Sequence, residues 1–202
     1  MDALIKPAIE HPVQELDTRT DTRDYLAHAR NDAEKKGFAD WLIVDIDAHH
    51  VESVSWAEIT SYIEDPVVRH QAEMYQSERV GAPPYGLNGD LGLRYQDVGG
   101  RIPHQSSQRE VVEEKDVHRD VVLTRRAMHG LAVDYMVIFP TPMLFLGMHP
   151  QTDMEVFLSR AYNRWLTERV LPGDPGMVTL VVLPVSYTHL RAHETSLHLV
   201  CR

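Results

Sequence analysis

Hydrophobic positions along this chain follow two periods. Between Thr22 and Lys36, the residues Tyr25, Leu26, Ala29 and Ala33 recur at helical spacing among charged neighbours, and Gly37 stands where such a helix would stop. The run Trp41-Leu42-Ile43-Val44-Asp45-Ile46-Asp47 is apolar and β-branched until its acidic end, which predicts a first core strand buried on both faces. A helix is expected around Asp65 to Ser77. After it comes a Gly/Pro-rich stretch holding Pro83-Pro84, Gly86, Gly89, Gly92 and Gly99-Gly100, long enough to be a functional loop or to hide an element. Helical spacing returns with Val117, Val121, Thr124, Met128 and Leu131, and Gly130 falls near the C-cap. Tyr135 to Phe139 reads as a second buried strand closed by Pro140 and Pro142. Thr152 or Asp153 can cap a further helix with Val156, Phe157, Ala161 and Trp165 inward, ended by Pro172, Gly173 and Pro175; Val178 to Leu183 is the third strand.

This alternation of strand and helix predicts an α/β fold with a parallel sheet covered by helices. Residues 1–40 read as an N-terminal helical extension and 41–184 as the folded body. Composition does not disturb that picture: the 202 residues are 43% hydrophobic and 25% charged, as in ordinary globular proteins. The formal charge of -10 and the lack of a basic cluster argue against a nucleic-acid partner. Neither Tyr135 to Phe139 nor Val178 to Val185 approaches the roughly 20 apolar residues of a membrane span, and the start lacks a basic, then apolar leader. A cytoplasmic chain without a membrane partner is expected. A single cysteine, Cys201, excludes an internal disulfide framework and a multi-cysteine zinc site, whereas histidine is plentiful at 12.

The chemistry concentrates in Val44-Asp45-Ile46-Asp47-Ala48-His49-His50-Val51-Glu52. Strand side chains alternate, so Asp47 and His49 are expected on one side, able to share a divalent metal from the strand end, with Asp45 deeper on the same side. A carboxylate with an imidazole suits zinc or manganese. The competing reading is a pair of solvated strand-end residues. Three other groups are candidates for a supporting or substrate-contacting role: His50, expected on the opposite face; Glu52, able to orient a ligand; and His149, in the loop after the second strand. His118 and His129 are expected to face solvent, as is Arg125-Arg126. Tyr135, Phe157 and Trp165 are expected to be packing residues.

The string Asp45-Ile46-Asp47-Ala48-His49-His50-Val51-Glu52, with Trp56 beyond it, resembles the first-strand signature of the amidohydrolase-related family, in the branch of aminocarboxymuconate semialdehyde decarboxylase and related aromatic acid decarboxylases and hydrolases. Gly130 to Thr141 is similar to that family's second-strand region and Ala161-Tyr162-Asn163-Arg164-Trp165-Leu166 to its following helix. The resemblance implies a TIM-like barrel with one divalent metal at its C-terminal mouth, first bound by Asp47 and His49, and a small organic acid as substrate. It also implies a histidine and an aspartate from later strands, which have no counterpart here, so the catalytic residues are not assigned. A barrel needs roughly 200 to 250 residues; only its first three strands are visible, as in a truncated frame inactive by itself. Residues 185–202, beginning Val185-Ser186-Tyr187-Thr188-His189, change character and read as a non-native tail. Its His193-Glu194 is followed by His198, one position too far for the zincin pattern. The alternative to an enzyme fragment is a self-contained, non-catalytic α/β binding module. Oligomeric state is not legible.

Overall fold

The computed structural model describes residues 21–74, 111–149 and 151–184. Helix α1 (Thr22–Lys35) begins where the Asp21 carboxylate accepts from the Arg23 amide, and the chain reverses at Gly37, whose φ of 70° is left-handed backbone that glycine adopts without strain. Strand β1 (Val44–His50) leads into two short helices, α2 (Trp56–Ser61) and α3 (Pro66–Met74), the latter capped by Asp65 accepting from the amides of Val67 and Val68. Helix α4 (Arg119–Leu131) precedes β2 (Tyr135–Pro140). Helix α5 (Thr152–Trp165) runs on through a π turn at Leu166–Val170 and a 3-10 turn at Leu171–Gly173 to β3 (Met177–Thr179). The strands form one parallel sheet in the order β1-β2-β3, with helices in each connection. Among the described residues no helix is long and apolar enough to cross a membrane.

Register explains which face is dry. Asp45, Ala48 and His50 lie opposite Met136, Ile138 and Pro140, so these six share a face, and Met136 and Ile138 pair onward with Met177 and Thr179. This face carries the core: Trp56, Ile59, Met136, Ile138, Leu158, Tyr162 and Trp165 are all buried against one another. The opposite face holds Val44, Tyr135, His49, Phe139, Val137 and Val178. The expectation of strands buried on both faces is corrected here. Val44 and Tyr135 are 45% and 44% exposed, because no described element covers that side.

Three boundaries differ from the sequence expectation, each for a local reason. β1 begins at Val44 rather than Trp41, since its partner begins at Tyr135: the Ile43 amide donates to the Asp134 carboxylate, and upstream Trp41 and Leu42 are exposed. β3 ends at Thr179 rather than Leu183, where the Asn163 side chain replaces a neighbouring strand by bonding both the amide and the carbonyl of Val182. α4 ends not at Gly130, which lies inside the helix against Leu26 of α1, but at Ala132 with φ 54°. The inner face of α5 is Met154, Leu158, Ala161, Tyr162 and Trp165, while Val156 and Phe157 flank it; neither Thr152 nor Asp153 is the N-cap, which is Gln151. The helix expected to reach Ser77 is described to Met74; the Gly/Pro-rich stretch around Pro83 to Gly100 and the tail from Val185 lie outside the described residues.

Candidate functional site at the end of the first strand

β1 is not a regular strand. Asp45 lies opposite Met136 and Ala48 opposite Ile138, so three residue steps on β1 match two on β2, the signature of a bulge. The Asp45 carboxylate caps this extra residue by accepting from the Asp47 amide at 2.9 Å. Asp45 therefore faces the helices while His49, opposite Phe139, faces the open side, which corrects the expectation that Asp45 lies deeper on the same side as His49. The pair itself does come together: Asp47 Oδ1 and His49 Nε2 are 3.2 Å apart, with His49 resting at a tilt on the Phe139 ring. Two ligand atoms bound tetrahedrally at zinc distances stand about 3.3 Å apart, so the spacing suits a shared ion as well as a hydrogen bond. The Asp47 side chain is 83% exposed and reachable from solvent.

His50 points the other way, into the core, and both ring nitrogens are engaged. Nδ1 lies 3.0 Å from Asp120 Oδ2 on the first turn of α4, and Nε2 lies 2.8 Å from Tyr162 Oη on α5. The ring stacks on Trp165 with 6° between planes. Burial pushes Asp120 upward, but the hydrogen bond and charge of His50, together with His118 and Arg119, outweigh it and hold the carboxyl below its ordinary range. Burial, then the nearby Glu52 and Asp120 carboxylates, hold the Tyr162 phenol well above its ordinary value. The Asp120 carboxylate can only accept, so the His50 Nδ1–H donates to it, while Nε2 shares a hydrogen bond with the Tyr162 hydroxyl.

Glu52 is fully buried behind the strand end. Its two oxygens accept from the amides of Thr141 and Met143, at 2.8 and 2.5 Å, clasping the turn that follows β2. Burial raises its pKa to about 7 against the opposing pull of His50 and the amides. Both oxygens are thus spent on backbone, away from the open side. His149 is also buried, in the turn before α5, with Nδ1 accepting from the Gln151 amide; burial lowers its pKa, opposed by Gln151 and Glu155. Among the described residues no three or more His, Cys, Asp or Glu side chains assemble as a metal-holding group, so the structure brings Asp47 and His49 together but not His50, Glu52 or His149 with them.

Other expectations are revised. His118 is not solvent-facing: it caps α4 by accepting from the Asp120 amide, and its Nε2 lies 3.3 Å from the Glu58 carboxylate that also receives Trp165 Nε1–H. Arg125 is tied to Asp174 and Gly173, and Arg126 to Val111 and Glu114, rather than forming a freely solvated face. Tyr135 is half-exposed, whereas Trp165 is buried as expected. A cleft of about 530 Å³, lined in part by Glu58, Tyr62, Arg69 and Arg164, lies apart from Asp47 and His49; Arg69 is bound there to the Ile63 carbonyl and Arg164 to Glu64. Sequence reasoning missed Asp120 and Tyr162. The available signal was an acidic residue beside Val121 on the apolar stripe of α4, a position that needs a buried partner. No protein-family model, curated protein or solved structure matches the chain.

Proposed function

We propose that this chain carries the first part of a metal-dependent, amidohydrolase-type centre acting on a small carboxylated or carbonyl substrate by hydrolysis or non-oxidative decarboxylation. Asp47 and His49 supply ligands to one zinc or manganese ion. The observation that carries the reading is the 3.2 Å approach of their ligand atoms at the C-terminal end of a parallel strand, the end at which α/β folds place their chemistry. The three parallel strands with helices between them are the arrangement from which a TIM-like barrel is built, and the barrel itself belongs to this proposal. Such an ion acts as a Lewis acid toward a bound water or a substrate carboxylate. This chain's residues contribute a carboxylate oxygen from Asp47 and an imidazole nitrogen from His49, and Phe139 supports the imidazole from one side. Two protein ligands do not close a site, so the isolated chain is expected to bind weakly and to lack turnover.

The test is Mn²⁺ titration of the chain, read by loss of the free-ion electron paramagnetic resonance signal. Manganese is chosen over zinc because the sequence also holds His189, His193, His198 and Cys201, which zinc would find. Asp47→Asn and His49→Ala should each abolish most of the binding. Equal binding by wild type and both variants would overturn the assignment and favour the non-catalytic binding module.

A further inference from the structure

We infer that Asp120, His50 and Tyr162 form a positioning relay that fixes the direction in which His49 is presented; the inference rests on the reading of Asp47 and His49 as metal ligands. His49 has little to hold it by itself. Its ring touches Phe139 and the exposed Asp47, and the strand just upstream is loosened by the bulge between Asp45 and Ala48. Its neighbour is held from every side. The His50 carbonyl accepts from the Thr141 amide at 3.0 Å, its two ring nitrogens are bonded to α4 and α5, and its flat face lies on Trp165. A ring pinned at both nitrogens cannot turn, so its Cα–Cβ direction is fixed. Adjacent strand residues point oppositely, and that fixed direction sets the one on which His49 leaves the sheet.

The composition of the core supports this assignment. Asp120, His50 and Tyr162 occupy interior volume that apolar side chains would fill with less desolvation. A fully satisfied buried network instead specifies one geometry, because any rotation strands a polar atom in a low-dielectric interior. The relay ties the strand end to two helices distant in sequence, at separations of 70 and 112 residues, so the orientation of His49 depends on the assembled fold rather than on local backbone preference. None of the three groups lies on the open side with Asp47, and their role is to position, not to ligate.

The experiment compares the full chain with Tyr162→Phe and Asp120→Asn, which weaken opposite ends of the relay, by two readouts. The first is the nuclear Overhauser contact between the His49 and Phe139 rings, measured without metal. The second is Mn²⁺ affinity by the titration above. In wild type the ring contact is expected to be strong; in either folded variant it should weaken, and Mn²⁺ binding should fall about tenfold, the scale on which supporting residues tune metal sites. A merely structural role would lower thermal stability and leave both readouts in place, and that result overturns the inference. If wild type binds no Mn²⁺ but the variants still lose the ring contact, the metal reading fails and the positioning role stands. If the ring contact persists and wild type binds no Mn²⁺, both fall. Since the two substitutions act on different nitrogens, one folded variant decides the matter.

Discussion

Glu52→Gln isolates the energetic consequence of placing an acid behind the strand end. Glutamine has the shape of the protonated acid and cannot ionise; its one oxygen accepts from one of the amides of Thr141 and Met143 and its NH2 is set against the other, a cost that does not change with pH. In wild type, burial raises the Glu52 pKa from an ordinary 4.5 to about 7. Between those values the folded chain holds a proton that the unfolded chain releases, so this residue's contribution to stability is full below pH 4.5, declines as pH rises, and levels off above about 7. An interval of that size corresponds to about 3 kcal/mol. His149 has the opposite sign: its lowered pKa favours the folded state above an ordinary 6.5 and is lost as pH falls. The two partly cancel in wild type, and subtracting the variant's curve removes His149. Urea unfolding from pH 5 to 8, followed by the fluorescence of the buried Trp56 and Trp165, provides both curves. Whatever offset the glutamine NH2 imposes at pH 5, the stability of the variant relative to wild type should rise by roughly 2–3 kcal/mol between pH 5 and pH 8. A difference that stays flat across that range would show that the carboxylate is stabilised as the anion by its two amides, and the reasoning from burial would be wrong.

Three other outcomes follow from the packing. Gly130→Ala places a methyl 2.8 Å from Leu26 Cβ and 3.1 Å from its backbone Cα, so it should destabilise by about 1–2 kcal/mol in thermal melts although alanine favours helix. Ala132→Gly relieves a left-handed residue at the end of α4 and should stabilise by about 0.5–1 kcal/mol, measured the same way. Ile46→Lys puts a charge at a position 73% exposed on the outer strand of the sheet among the described residues; it should leave stability within about 0.5 kcal/mol and reduce aggregation by light scattering, and an unfolded variant would mean that this face is covered.

Periodicity located α1, α4, α5 and β2, which bury a contiguous stripe or run, whereas the runs read as β1 and β3 overlap the observed strands only over Val44–Asp47 and Val178–Thr179. The short α2 was invisible: its six residues complete fewer than two turns, and its anchor is the Trp56 indole donating to the Ala72 carbonyl, a contact without sequence spacing. Strand limits were misplaced where pairing, not hydrophobicity, decides them, as at Trp41, which is apolar yet exposed among the described residues. The Asp47–His49 approach was legible as a spacing of two, although its geometry depends on a bulge that alternation alone does not announce. The partners of His50 were not legible, since Asp120 and Tyr162 meet it only after three elements have folded together.

The bulge in β1 has a consequence for how this segment tolerates change in length. Losing or gaining one residue is ordinarily among the most damaging events in a strand, because every side chain beyond it turns to the wrong face. β1 already holds one supernumerary step between Asp45 and Ala48, so its two halves keep phase with β2 independently. Removing Ile46 would leave Asp45, Ala48, His49 and His50 on the faces they now occupy and would convert Asp47 into an ordinary ladder residue beside His49. In this strand a one-residue gap is thus a change of curvature rather than of facing, and sequences that differ here by a single deletion can be superposed without disturbing either histidine.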